Sequence, residues 1–178
     1  GVQAMQDLRV GYNELATIQF LRAIPEAQRI YKETDWNDNG VKSYATRLAS
    51  TEGKHDGLYW PPAPDEPAAP LGPYAAQGSG RGPVSKLLGY NGYFFRILTA
   101  RGPGAAGGAA DWLHDGELTG GFAVIAWPAI YDESGVMSFL VGPDGVVYEQ
   151  DLGEDSKAAA EAVTAYDPSQ GWRPVRDS

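Results

Sequence analysis

Apolar residues in the first part of the chain recur with the period of a helix. Between Asn13 and Glu33 (NELATIQFLRAIPEAQRIYKE), a 100° step per residue gathers Ala16, Phe20, Ala23, Ile24, Ala27, Ile30 and Tyr31 onto one arc of roughly 120°. Asn13 stands where an N-cap belongs, and Glu14 follows in the first turn, where the helix dipole favours an acid. Leu15, Ile18 and Leu21 fall outside the arc, on the side that the second half fills with Arg22, Glu26, Arg29 and Lys32. The first half of the helix is therefore apolar nearly all round. Leu15, Ile18 and Leu21 are expected to meet a partner protein or a further domain N-terminal to the helix. Pro25 deprives the Leu21 carbonyl of its donor, at a cost of ~3 kcal/mol in a straight helix. The arc keeps its phase through Pro25, so a kink is expected rather than an end.

The segments that follow lose this period. Thr34 to Gly40 (TDWNDNG) is turn chemistry, and Val41 to Ala49 reads as a short second helix with Val41, Tyr44, Ala45 and Leu48 on its apolar face. Ser50 to Gly57 (STEGKHDG) is again a run of turn residues. A Pro/Gly-rich stretch over 58–89 carries Pro61, Pro64, Pro67, Pro70 and Pro73 at every third position, the repeat of a polyproline II helix. At ~3.1 Å per residue this strap would run roughly 37 Å. A domain of this length has a radius of gyration of about 16 Å, so the strap could cross it, anchored by Leu58, Tyr59 and Trp60.

From residue 90 to 150 the period changes to two. Tyr90 to Ala100 alternates Tyr93, Phe95 and Ile97 with Phe94, Arg96 and Leu98. Phe122 to Trp127 (FAVIAW) is apolar on both sides, as an interior strand would be, and Pro128 closes it. Val136–Val141 and Val146–Gln150 flank Gly142-Pro143-Asp144-Gly145, a strong hairpin signal. Glu154 to Tyr166 reads as a C-terminal helix, followed by an extended tail holding Trp172. A long helix followed by an antiparallel meander implies a single α+β domain over 1–178, with the sheet laid on the N-terminal helix.

Bulk properties narrow the function more than the fold. The chain has 178 residues, 43% hydrophobic and 21% charged, and a net charge of −9. From Tyr131 onward there are ten acidic and three basic side chains. That balance opposes a phosphate backbone and excludes a nucleic-acid partner. No apolar run is long enough to span a bilayer. Without cysteine there can be no disulfide, thiolate zinc site or cysteine nucleophile. The first residues show neither a signal peptide nor an initiator methionine, so a trimmed mature protein or an excised fragment is expected.

Little chemistry is legible. Asp35, Asn37 and Asn39 followed by Gly40 match the opening of a calcium loop, in which alternating oxygens and a glycine turn wrap a hard cation. Thr46 occupies the twelfth position, where a bidentate glutamate belongs, so the competing reading is an Asx-rich turn. His55-Asp56-Gly57 and His114-Asp115-Gly116 hold the only histidines. They are either two solvated turns or, if they converge, a metal or acid–base site. Gly78, Gly80 and Gly82 lack the preceding strand and following Lys of a phosphate loop, and no nucleophile elbow is present. The expectation is a non-catalytic interaction or structural module with no cofactor. A calcium or ligand site at Asp35 or near Tyr59, Trp60 and Trp112 is the alternative, and a hydrolase on the two histidines ranks below both.

The stretches NELATIQFLRAIPEAQRIY, KSYATRLASTEGKHDGLYWP, GYFFRILTARGP, GGFAVIAWPA and GVMSFLVGPDGVVYEQDLG together resemble the C-terminal part of a bacterial family known as domain of unknown function 2950. That resemblance implies export, hence a periplasmic or extracellular location, and a further N-terminal region in fuller members. It implies no catalytic residues. The long helix with its Ala-Gln-x-x-Tyr segment and the late F-L-V-x-x-D-G-V-V hairpin are also similar in outline to type IV pilins and pseudopilins, though the apolar N-terminal stretch that pilin assembly needs is absent.

Overall fold

Helix α1 runs without interruption over Val2–Lys32, 31 residues, in the computed structural model, which describes residues 1–72 and 92–176. Asn13 does not cap it. The segment VQAMQDLRVGY ahead of Asn13 has no proline and is rich in strong helix formers, so nothing in it stops the helix. Asn13 instead donates its amide N–H to the Ser134 carbonyl at 2.9 Å.

The buried face of α1 is Thr17, Phe20, Leu21, Ala23, Ile24, Ala27, Gln28 and Tyr31. This face is turned from the arc expected from apolar residues alone: Leu21 lies inside it, while Ile30 is exposed and Ala16 only half-buried. A buried polar residue, Gln28, accounts for the difference. The Gln28 amide donates to the Ala45 carbonyl at 3.0 Å and accepts the Ala45 N–H at 2.8 Å, so it enters the core with both polar atoms satisfied. The buried phase carries through Pro25, which packs near Gly145 in the turn of the late hairpin.

The same Gln28 contact removes the expected second helix. With both backbone groups of Ala45 held by Gln28, and the Tyr44 N–H donated to the Leu118 carbonyl at 2.8 Å, residues 41–46 cannot close helical hydrogen bonds. The chain stays extended there and forms β1 (Arg47–Ala49), parallel to β2 (Gly57–Tyr59). The strap does not cross the molecule either. The Leu71 N–H bonds the Leu58 carbonyl, and the Trp60 indole N–H bonds the Pro67 carbonyl, each at 2.9 Å. Residues 58–71 thus fold back over Trp60; the rest of the expected strap, 73–89, lies outside the described residues.

The main sheet is β3 (Tyr93–Leu98), β8 (Ala123–Pro128), β9 (Ser138–Val141), β10 (Val147–Gln150) and β11 (Arg173–Pro174), all antiparallel and in chain order across the sheet. Every residue of β8 is buried, because both faces of the strand are covered. On one face Phe95 pairs with Ala126 and meets Phe20 of α1, their rings 5.1 Å apart. On the other, α2 (Ser156–Glu161) packs on β8. It is shorter than the expected helix over 154–166. The Arg96 guanidinium donates to the carbonyls of Ala160 and Val163, both at 2.6 Å, and so binds the end of α2 to the sheet.

Between β3 and β8 the chain makes two small ribbons. These are β4 (Ala100–Arg101) with β5 (Ala110–Asp111), and β6 (Leu113–His114) with β7 (Glu117–Leu118). Asp115 and Gly116, at φ 52° and 80°, close the second as a tight hairpin. The glycine loop after β4 is held from outside. Arg101 donates to the Gly107 and Gly108 carbonyls, and the Asp167 carboxylate accepts the Gly104 N–H at 3.0 Å.

Candidate functional site

The Asp35 loop leaves α1 and is fastened to β7. Asp35 accepts the N–H groups of Asn39 and Gly40 at 3.3 and 2.6 Å, and Gly40 takes φ 82°. The amides of Asn37 and Asn39 and the Ser43 hydroxyl all donate to the Glu117 carboxylate. Glu117 thus brings an acid to the loop from 80 residues beyond Asn37. Sequence spacing could not reveal it. In this arrangement the carboxylates accept from N–H and O–H donors, and among the described residues no group of three or more His, Asp or Glu could hold a metal ion.

The two His-Asp pairs do not form one site. His55 lies over Trp60, ring centroids 4.2 Å apart, and edge-on to Trp36 at 5.1 Å, with Nε2 3.4 Å from Glu66. Its neighbour Asp56 turns the other way and accepts the Thr51 N–H and hydroxyl, both at 2.7 Å. Burial opposes the Asp56 charge, but these two bonds and the nearby Arg47 outweigh it and hold the carboxyl below its ordinary range. His114 stands on the β6–β7 hairpin, and no hydrogen bond or ion pair joins it to His55.

Tyr31 completes the aromatic group. Its hydroxyl donates to the His55 carbonyl at 2.6 Å, and its own carbonyl accepts the Trp36 indole N–H at 2.9 Å. Burial, with Asp56 and Glu117 adding negative charge, pushes the Tyr31 phenol up to about 12. A cleft of about 430 Å³ opens beside it, between residues 50–55 and Trp60, Pro61 and Glu66. Trp60 offers that cleft little: His55 lies against its ring and Pro67 takes its N–H. Tyr59 and Trp112 are likewise buried.

The first half of α1 is different. Glu14 and Asn13 tie its inner side to residues 134–137, and Gln6 reaches the Asp132 carbonyl at 2.7 Å. Its outer side carries Val2, Met5, Leu8, Tyr12 and Leu15 at 83, 73, 75, 60 and 53% exposure. Of the three expected contact residues, Leu15 lies on this stripe and Ile18, half-buried, at its edge. Leu21 is fully buried in the core and has no surface to offer a partner, a correction that follows from the turned helix face. Val2, Met5, Leu8 and Tyr12 were hidden by starting the helix at Asn13. Their 3-3-4 spacing, which Leu15 continues, was the signal for them.

The family model described as Protein of unknown function (DUF2950) matches residues 1–175. No curated protein matches the chain. No solved structure matches it either.

Proposed function

Since the chain belongs to that family, whose description assigns no activity, we propose that it is a non-catalytic, exported interaction module that docks a protein partner on the outer face of the first half of α1. The observation that carries this reading is the run of five large apolar side chains, each more than half exposed, along one side of a single helix. The body of the chain holds the opposite side of that helix and presents the stripe outward. The likeness to pseudopilins belongs here too: a long helix, anchored by its second half to an antiparallel sheet, with its first half offered to neighbours. Export rests on the family resemblance. Fractionation of cells expressing the protein from its own gene reads it, and a wholly cytoplasmic protein overturns it.

The docking surface is tested with a synthetic amphipathic helix carrying leucines at heptad a and d positions. The wild-type protein should bind it, and Leu8→Glu/Leu15→Glu should not, while the two share a circular dichroism spectrum and melting temperature. A wild-type protein that ignores the peptide at concentrations where it is monomeric removes the reading.

Calcium binding at the Asp35 loop is the second reading, favoured by the arrival of Glu117 beside Asn37 and Asn39. Rotating the two amides would turn their oxygens toward a hard cation. Calorimetric titration with calcium should then give heat in the wild type and none in Glu117→Gln. Absence of heat in the wild type disposes of this reading.

A further inference from the structure

The outer stripe of α1 has a symmetry that points to its occupant. Val2, Met5, Leu8, Tyr12, Leu15 and Ile18 are spaced 3-3-4-3-3, a pattern that reads the same in both directions about residue 10. Met5, Leu8, Tyr12 and Leu15 form its centre with the alternating three-and-four spacing of a coiled-coil seam. A seam this narrow fits one helix better than a sheet or a broad apolar surface. Building on the docking reading above, we infer that the partner is a second copy of this chain, its α1 packed antiparallel on the first about residue 10.

In that pairing Met5 meets Leu15 of the second copy, Leu8 meets Tyr12, and Val2 meets Ile18. Each contact occurs twice, as a two-fold axis requires. One flank of the seam carries Ala4 and Gly11, and nothing lies within 4 Å of where a Gly11 Cβ would sit, so the second helix can come close.

Charge favours the antiparallel sense. Residues 1–16 hold Asp7, Glu14 and Arg9, so they carry one of the nine excess negative charges. The body that carries the rest reaches α1 at Gln6 and attaches along it mainly from Asn13 onward. A parallel pair would set two acidic bodies side by side. The antiparallel pair displaces them toward opposite ends, their centres roughly 40 Å apart at 1.5 Å per residue and several screening lengths at physiological salt.

The area suits a weak dimer. Five side chains at roughly 100 Å² each bury about 1,000 Å² over both copies, the lower bound for a specific interface. The two Arg9 side chains share a flank near the centre, and both chains are acidic, so added salt should tighten the dimer rather than loosen it.

Sedimentation equilibrium of the whole chain tests this over roughly 1–500 µM. Expected are a monomer–dimer equilibrium tighter in 0.5 M than in 0.05 M sodium chloride, and association at least about tenfold weaker in Leu8→Glu. Orientation is read from engineered cysteines, because the chain has none. A mixture of Leu8→Cys and Tyr12→Cys should oxidise to the mixed disulfide, and neither variant alone should cross-link. Self-cross-linking of Leu8→Cys overturns the antiparallel pairing. A monomer at every concentration overturns the second copy as occupant. If that monomer still binds the amphipathic peptide, the docking face survives and only its occupant was wrong; if it does not, both readings fall together.

Discussion

Gln28 shows how far one side chain can redirect a chain. It is fully buried, yet both of its amide atoms bond the backbone of Ala45, so its burial carries no unpaired polar group. Removing it should strand the Ala45 N–H and carbonyl in the core and leave a cavity. Gln28→Ala is expected to destabilise the protein by about 2–4 kcal/mol, read as a lower melting temperature and a lower denaturation midpoint. Asp56 makes a subtler demand. Its folded pKa is depressed, so its contribution is present above the unfolded value near ~3.9 and is lost as pH falls through the folded value. Asp56→Asn should therefore cost about 1–2 kcal/mol at pH 7, and that difference should shrink in denaturant titrations as pH falls through the folded value. Neither role could be read from the sequence. A glutamine among apolar neighbours counts as solvent-facing on a helical wheel, and an aspartate beside a histidine looks like its partner until Thr51 is seen to hold it.

At the level of elements, local pattern and tertiary contact divide the outcome unevenly. Strands β3, β8, β9 and β10 follow from alternation, continuous apolarity and the Gly-Pro-Asp-Gly turn, all of which act over a few residues. Helix α2 depends on distant help. Arg96, from the middle of β3, adds a donor to the Ala160 carbonyl in its last turn and holds the Val163 carbonyl just beyond its end. Arg96→Ala should speed amide exchange through residues 156–163 at least tenfold and lower overall stability by about 1–3 kcal/mol, while the β8 amides stay protected. Protection unchanged at 156–163 would show that packing on β8 alone keeps α2 folded. The misread second helix and strap fail for the same reason: residues 41–46 answer to Gln28 and Leu118, and 58–71 to a hydrogen bond between their own ends.

The whole molecule has two parts with different thermodynamic weight. The core draws on α1 only from Thr17 onward, together with the sheet and α2, whereas residues 2–12 reach the body through little more than Gln6 and the Asp132 carbonyl. Deleting residues 1–12 should thus change the melting temperature of a dilute sample by no more than about 2–4 °C, the shift expected from ~1 kcal/mol in a domain of this size. A drop of 10 °C or more would mean that the first half of α1 is structural, and its exposed stripe would lose its claim to a partner.

What the sequence determined by itself is whatever short-range physics controls. That includes the α+β order, the meander and its hairpin turn, the interior strand, and an excess of apolar surface on the first half of a long helix. Tertiary structure decided which side of that helix faces inward, because Gln28 could turn inward only with Ala45 in place to satisfy its amide. It also decided where the surplus lies. Leu21 went to the core and Leu15 stayed out, and the helix gained eleven residues that carry the rest of the stripe. The reason is one of range. Hydrophobic period is a property of neighbours along the chain, while satisfying a buried polar group requires partners that only the folded chain brings near.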